Sequence, residues 1–552
     1  MKHSVIVRAV VALFALALGG MAMYHFNTGA RQSGEIASVA RQPGYVAQIR
    51  KGHLELRKQP IERAGERLIF SAREGAGAWL LDLPLDWDAD PFHNVNWQFQ
   101  LHAWRMIDPL LVSFFDTANQ EHLREAFGYV LDWFRYHYEE RRASKMEWYD
   151  MAAGIRAMKL ALFLDRYQAG QLDLSPEDAR RLAVLVDEHA RRLQDESYIA
   201  KNNHGLFQVF GLNLLCAVAK DRESCVNGRE FAGAMFARLL DDQFTDEGVH
   251  RENAPVYHEF VRRTITSLSS EPTIKIPGVD TQKLLHKVMQ VRPWLVDPQG
   301  NFVAVGDSSG RGKPLAVKAG SGVAVGDFTK SGYGIVRDEN SMLFMMGMAH
   351  KFTHKHADDL SFVLFEHGRP LFIDTGKYGY DENPMRRYVM SAAAHNTISL
   401  LDQDINPKDL VLVGSELRPI ERDGTLFKLV GTVERPSLFT QHREIQYRPD
   451  RLLIVRDEVS SDRDRQFVSS LHLSRDLTPQ LVMGGFDVPL SDGKVVKARL
   501  NETDCRIETV RGAKNPILGW ESIGYLEIEP ASVIRAICPG RNRSITWNIA
   551  LQ

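Results

Sequence analysis

From about residue 94 to 291, apolar residues recur at three- and four-residue spacing, as in LHAWRMIDPLLVSFF (101–115), EAFGYVLDWFRYHY (125–138), GIRAMKLALFLDRY (154–167) and DARRLAVLVDEHARRL (178–193). That period puts an apolar stripe on one side of each helix. Start signals support the pattern: in Leu174-Ser175-Pro176-Glu177 the Ser can cap and the Pro fits the first turn. Between Gly300 and Gly334 the glycine density rises and the apolar runs shorten, which predicts a boundary. Beyond it, β-rich runs alternate with turn signals. Glu366 to Arg369 turns a hairpin in SFVLFEHGRPLFIDTG, Asp423-Gly424 precedes TLFKLVGTVE, and Pro449-Asp450-Arg451 divides EIQYRPDRLLIVRDEV. The expected organisation is an all-α domain over 31–315 and an antiparallel β-sandwich over 316–552. Paired helical hairpins suit either a toroid or a solenoid.

The first 30 residues read as an address rather than fold. Met1, Lys2, His3 and Arg8 precede the apolar run AVVALFALALGGMA (9–22). This is the layout of a signal peptide, which implies a periplasmic or secreted protein. Val5 to Phe26 also has the length of an uncleaved membrane anchor. Cysteines at 216, 225, 505 and 538 form two neighbourhoods that suit an oxidising compartment or buried thiols equally. With 552 residues, 44% hydrophobic and 25% charged, collagen-like and wholly disordered classes are excluded. Lys+Arg total 68 against Asp+Glu 70, so no global basic field exists to hold nucleic acid, and an anionic substrate must be met locally.

Four constellations could carry chemistry. Lys201-Asn202-Asn203-His204-Gly205 opens a helix, where amide and imidazole donors can hold a carboxylate or a developing oxyanion. Glu247 to His258 is a polar loop entering another helix, with Arg251 in the loop and Tyr257 available for acid–base work. His350, His354 and His356 precede the strand SFVLF, and in extended chain His354 and His356 share a face. With Asp374 on the returning arm and His395 following, two imidazoles and a carboxylate favour Zn over Ca, whereas a metal-free polar cluster is the competing reading. Arg386-Arg387 near Tyr378 and Tyr380 could grip carboxylate or sulfate, with rings on sugar faces, or form a solvated loop. No convincing acid/base carboxylate pair marks a glycosidase; Asp241, Asp242, Asp246 and Glu247 read as a solvated charge run.

In order along the chain, Asn203-His204, Gly248 and Glu252 leading to Ala254-Pro255-x-Tyr257-His258, His354-Lys355-His356-Ala357-Asp358 with Ser361-Phe362, Asp374-Thr375-Gly376-x-Tyr378 and His395-Asn396-Thr397 resemble the heparinase II/III-type polysaccharide lyases, which include heparin/heparan and alginate lyases. Trp97 to His102 and Glu147-Trp148-Tyr149 to Arg156 resemble the early helices of that family. The resemblance implies an N-terminal (α/α) toroid followed by antiparallel β-sheets. It further implies that Asn203 and His204 neutralise a uronate carboxylate, that Tyr257 and His354 transfer protons, and that His356, Asp374 and His395 hold one structural divalent metal. Lys201, Arg251, Arg386, Arg387 and Tyr378 are the candidate substrate contacts. The expected activity is β-elimination on an anionic polysaccharide or oligosaccharide. A uronate C5-epimerase on the same scaffold, or a non-catalytic glycan-binding or export protein, is the alternative. Two departures stand out: Phe207 and Gln208 occupy a region where family members often place a carboxylate, and Lys355 replaces an expected small residue, putting a positive charge near the site or in solvent.

Overall fold

The computed structural model describes residues 60–72, 77–269, 276–278, 280–309, 322–347 and 349–551. The apolar N-terminal stretch therefore lies outside the described residues. Among the described residues no helix is long and apolar enough to cross a membrane.

The region expected to be all-α opens instead with three short antiparallel strands, Arg63–Ala64, Arg67–Ser71 and Ala78–Leu80. Alternation explains them: Leu68 and Phe70 turn inward, and Phe70 and Trp79 pack on Trp97 with ring centroids 5.8 and 5.2 Å away. Helices α1 (Val95–His102), α2 (Asp108–Thr117), α3 (Gln120–Phe134), α4 (Asp150–Gln168), α5 (Pro176–Arg192), α6 (Asn203–Val218), α7 (Gly228–Gln243), α8 (Pro255–Ser269) and α9 (Thr281–Val291) follow. Ser175 caps α5 by accepting from the Asp178 amide, with Pro176 in the first turn, as the start signal predicts. α5 and α9 bury one stripe each, whereas α4 and α6 are buried nearly all round, α4 with Arg156, Lys159, Asp165 and Arg166 among its buried residues. Those two form an inner pair. A Cβ at Gly211 would stand 2.2 Å from the Gly154 carbonyl oxygen, and one at Gly154 would stand 2.5 Å from the Phe207 backbone, so only glycine lets these backbones touch.

From residue 322 the regular structure is mostly antiparallel sheet, interrupted by loops and the helix Pro384–Met390. A five-stranded sheet runs Ala324–Phe328, Tyr333–Arg337, Met342–Met346, Phe362–Glu366 and Arg369–Phe372 in sequence order. An eleven-stranded sheet is centred on the long pair Leu452–His472 and Ser532–Ala550. The expected turns at 367–368, 424–425 and 449–451 are all present. Alternate residues of the smaller sheet face two cores. Val336, Leu343, Met345, Phe362 and Leu364 pack on the large sheet, and Ile335, Met342, Phe344 and Val363 pack on Val291 and Leu295 at the end of α9. That double burial explains why its three middle strands are buried at every position. It also presses the loops of the β half onto the ends of the helices.

Cysteines pair within each neighbourhood, Cys216 with Cys225 and Cys505 with Cys538.

Candidate active site

The helical and β halves meet at a cleft of about 590 Å³. Its helical wall carries Phe99, Tyr149, Asn203, His204, Tyr257 and Phe260, and its β wall carries Asp307, His354, Lys377, Tyr380 and Tyr525. The α4–α6 contact positions the first group. Asn202 caps α6 by accepting from the His204 amide at 2.9 Å, and His204 Nδ1 lies 3.0 Å from Asp150 Oδ1 at the start of α4. Burial raises the Asp150 carboxyl, but the imidazole more than offsets that and leaves it below its ordinary value. The pair fixes the ring and leaves its other nitrogen for the cleft.

Glu252 ties the two halves together from below. Its Oε1 accepts from the Asn203 amide at 3.0 Å, and its Oε2 stands 3.1 Å from His354 Nδ1. Burial alone raises this carboxyl, yet His354, His250 and the Asn203 amide bring it down to about 2. On α6 itself, Gln208 bonds the Ala200 amide and the Tyr198 carbonyl, so the carboxylate next to the Asn203 amide is that of Glu252.

Tyr257 lies flat against His354, with ring centroids 3.5 Å apart and planes 18° apart, and its hydroxyl shares a short hydrogen bond with that of Tyr380. The two phenols stand in different surroundings. Burial, with Tyr380 and Asp307 adding negative charge, pushes Tyr257 well above the usual phenol value. Burial also raises Tyr380, but Lys377, whose ammonium lies 3.7 Å from the ring centre, and the bond from Tyr257 bring it below that value. The arrangement can hold one proton on Tyr257 and release one from Tyr380.

His356, Asp374 and His395 converge behind this floor. All three are buried, and each offers a ligand atom within 4.8 Å of the others. His395 Nδ1 is 2.7 Å from Asp374 Oδ2, and His356 Nε2 is 3.0 Å from Asp307 Oδ1. His356 Nδ1 and His395 Nε2 are buried with no protein partner, which fits a donor set completed by a cation.

The sequence reading of the surroundings needs correction. His354 and His356 do not share a strand face: the segment is a chain of turns, His354 has φ of 58°, and the two rings point to the cleft and to the buried triad respectively. Lys201, Arg251, Arg386, Arg387 and Tyr378 do not line the cleft. Lys201 is exposed and offers its carbonyl to Lys351. Arg251 bonds the Phe244 carbonyl, and Arg387 pairs with Glu382 at the surface. Arg386 begins no solvated loop; it lies in the helix Pro384–Met390, buried and doubly bonded to Asp307 at 2.5 and 3.0 Å. Tyr378 packs in a small apolar cluster with Tyr388 and Leu518. Lys355 is buried between Asp358 and Asp359, away from both solvent and substrate. His350 is tethered to the Lys330 carbonyl outside the cleft.

Sequence reasoning named Tyr380 only as a neighbour and passed over Lys377. The loop from Gly376 to Asn383 has no regular period, so position alone does not say which ring turns inward. A lysine three residues before a tyrosine was the available signal.

No curated protein sequence matches the chain. The solved structure of a mutant of heparan sulfate lyase HepC from Pedobacter heparinus is 15% identical, with a TM-score of 0.66 over 94% of this chain and 88% of that one. The crystal structure of heparinase III is 15% identical, with a TM-score of 0.71 over 87% of this chain and 80% of that one. At such identity the likeness is one of fold. Two family models add sequence-level matches in tandem: heparinase II/III N-terminus over residues 44–274, and heparinase II/III-like, C-terminal, over residues 321–543. Covering most of both halves, they show that the chain belongs to the heparinase II/III family of polysaccharide lyases.

Proposed function

We propose that this protein cleaves a uronic-acid-containing glycan by β-elimination in the interdomain cleft. The observation that carries the reading is the Tyr257–Tyr380 pair, stacked on His354 and facing the Asn203–His204 helix start. The proton on C5 beside a carboxylate leaves only if the negative charge developing on that group is delocalised. Asn203 and His204 supply donors for it. Tyr380, held low by Lys377, takes the C5 proton as a phenolate. The C5–H electrons form the C4=C5 bond, the C4–O bond breaks, and Tyr257 gives its proton to the departing oxygen. Proton transfer from Tyr380 to Tyr257 along their mutual hydrogen bond then restores the starting state. His354 stacks on Tyr257 and assists as a second proton carrier.

His356, Asp374 and His395 are proposed to hold one divalent ion, with Zn favoured over Ca by two imidazoles and one carboxylate. Such an ion would brace the segments that carry His354 and Tyr380. The charged start and apolar run of residues 1–22 support export to the periplasm or beyond, by a cleaved leader or an anchor, and two disulfides suit that destination.

The test is near-ultraviolet absorbance of the purified protein mixed with glucuronate-, mannuronate-, guluronate- and iduronate-containing polymers. A rise reports the C4=C5 bond and names the substrate class. Solvent deuterium entering C5 without any rise in absorbance would assign the epimerase reading instead.

A further inference from the structure

The two walls of the cleft are joined at the end next to α1. Asp381, the residue after Tyr380, places Oδ1 3.0 Å from the Val95 amide and Oδ2 2.9 Å from Asn94 Nδ2. Asn94 is itself the N-cap of α1 and accepts from the Trp97 amide at 2.8 Å. Tyr525, at the tip of the hairpin Trp520–Gly524 and Glu527–Pro530, brings its hydroxyl 3.1 Å from the same Asn94 amide nitrogen. That tip is held to the Tyr380 loop, where the Leu526 amide donates to the Tyr378 carbonyl at 2.8 Å. Tyr525, Val95 and Asn96 all line the cleft, so the Asn94–Asp381 contacts stand directly behind this part of its wall. The halves are also tied away from the lining residues: Lys351 Nζ reaches the Lys201 carbonyl at 2.9 Å and Asp242 at 2.5 Å, and Asn253 bonds the Lys351 and Thr353 carbonyls.

We propose that the Asn94–Asp381–Tyr525 junction closes one end of the cleft, so that the protein takes its polymer by a chain end and releases products of one small, fixed size. The proposal rests on the lyase reading above. A polymer cut internally must run through the cleft and leave it on both sides of the reacting groups. Here one exit is crossed by side chains from helix α1, the Tyr380 loop and the C-terminal hairpin. The crossing is well matched chemically: Asp381 accepts from the Val95 backbone amide at the start of α1, where the helix dipole favours a carboxylate, and from the Asn94 side chain. It also sets a negative charge directly behind the lining residues Val95 and Asn96, which opposes displacement by an anionic chain.

The experiment follows the product sizes and solution viscosity of whichever uronate polymer gives an absorbance rise, using the full chain and its Asp381→Ala and Tyr525→Phe variants. The expected wild-type result is one short unsaturated product from the first minutes, with little loss of viscosity per double bond formed. Asp381→Ala should then yield intermediate oligosaccharides and a steeper viscosity fall per bond. Tyr525→Phe, which keeps the ring in place, should move the same way by less and serves where Asp381→Ala fails to fold. A ladder of intermediate sizes from the wild type, or one unchanged product in folded variants of both kinds, overturns the proposal and leaves the lyase reading standing. No unsaturated product from any polymer or short oligosaccharide overturns both.

Discussion

Tyr257 and Tyr380 share one hydrogen bond but stand in opposite electrostatic surroundings, and the proposed division of labour follows from that difference. Tyr380→Phe and Tyr257→Phe should each lower kcat/KM by roughly 10²–10⁴-fold in the absorbance assay, with melting temperature nearly unchanged, because each removes one hydroxyl from a cleft and no core volume. Full activity in either variant would remove that tyrosine from the chemistry. Lys377 gives the pair a pH signature. Its ammonium lowers the Tyr380 phenol, so the base is more ionised at a given pH and the rate should rise as pH climbs through that lowered value. Lys377→Met removes the opposing charge and leaves burial unopposed. The rising limb should shift to higher pH, and below it the rate should fall about tenfold for each pH unit of displacement. At this scale the sequence was legible where a motif has a mechanism. Asn203, His204, Tyr257 and His354 all line the cleft, whereas Arg251, Arg386 and Arg387 are spent on partners.

The inner helices α4 and α6 set the spacing of the cleft through Gly154 and Gly211. Gly211→Ala puts a methyl group against the Gly154 carbonyl and must spread the two backbones, at a cost of about 1–3 kcal/mol. The same spread should loosen the His204–Asp150 contact, so activity should fall along with thermal stability. Gly128 in α3 makes the comparison: nothing lies within 4 Å of a Cβ there, and Gly128→Ala should raise stability by roughly 0.5–1 kcal/mol through helix propensity. Thermal melts of both variants check the opposite signs. Helix and strand placement was readable from periodicity, since the 3.6-residue stripe and the two-residue alternation are local properties. The three short strands at 63–80 were missed because only a few alternating residues mark them, and the wish of Phe70 and Trp79 for Trp97 is a long-range preference.

For the whole molecule, the buried triad and the ion proposed for it tie together three segments, two of which carry the cleft residues His354, Lys377 and Tyr380. His356→Ala should lower the melting temperature more than Tyr257→Phe does, and should lose bound metal by elemental analysis, because an ion held only by the folded chain stabilises it by mass action. Metal-free wild-type protein with the same melting temperature as the metal-treated sample would count against the ion. Arg386 and Asp307 show why charge near a site is a poor guide to what it binds. Asp307 stays well below the ordinary carboxylate value despite its burial, because His356 and Arg386 both bond it, so that guanidinium is committed to the scaffold.

By itself the sequence determined that this chain has a helical half and a sheet half, and its ordered motifs marked the family of lyases it resembles. The division is a property of period and composition, the resemblance rests on the motifs themselves, and both survive without contacts. Only the tertiary structure decided which tyrosine of the Tyr378–Tyr380 loop enters the cleft, that Glu252 meets the Asn203 amide, and that Asp381 and Tyr525 reach across to the cap of α1. Each of these joins groups far apart in the chain through the direction of a side chain in an irregular loop. Such directions are set by what packs against the loop, which no local pattern encodes.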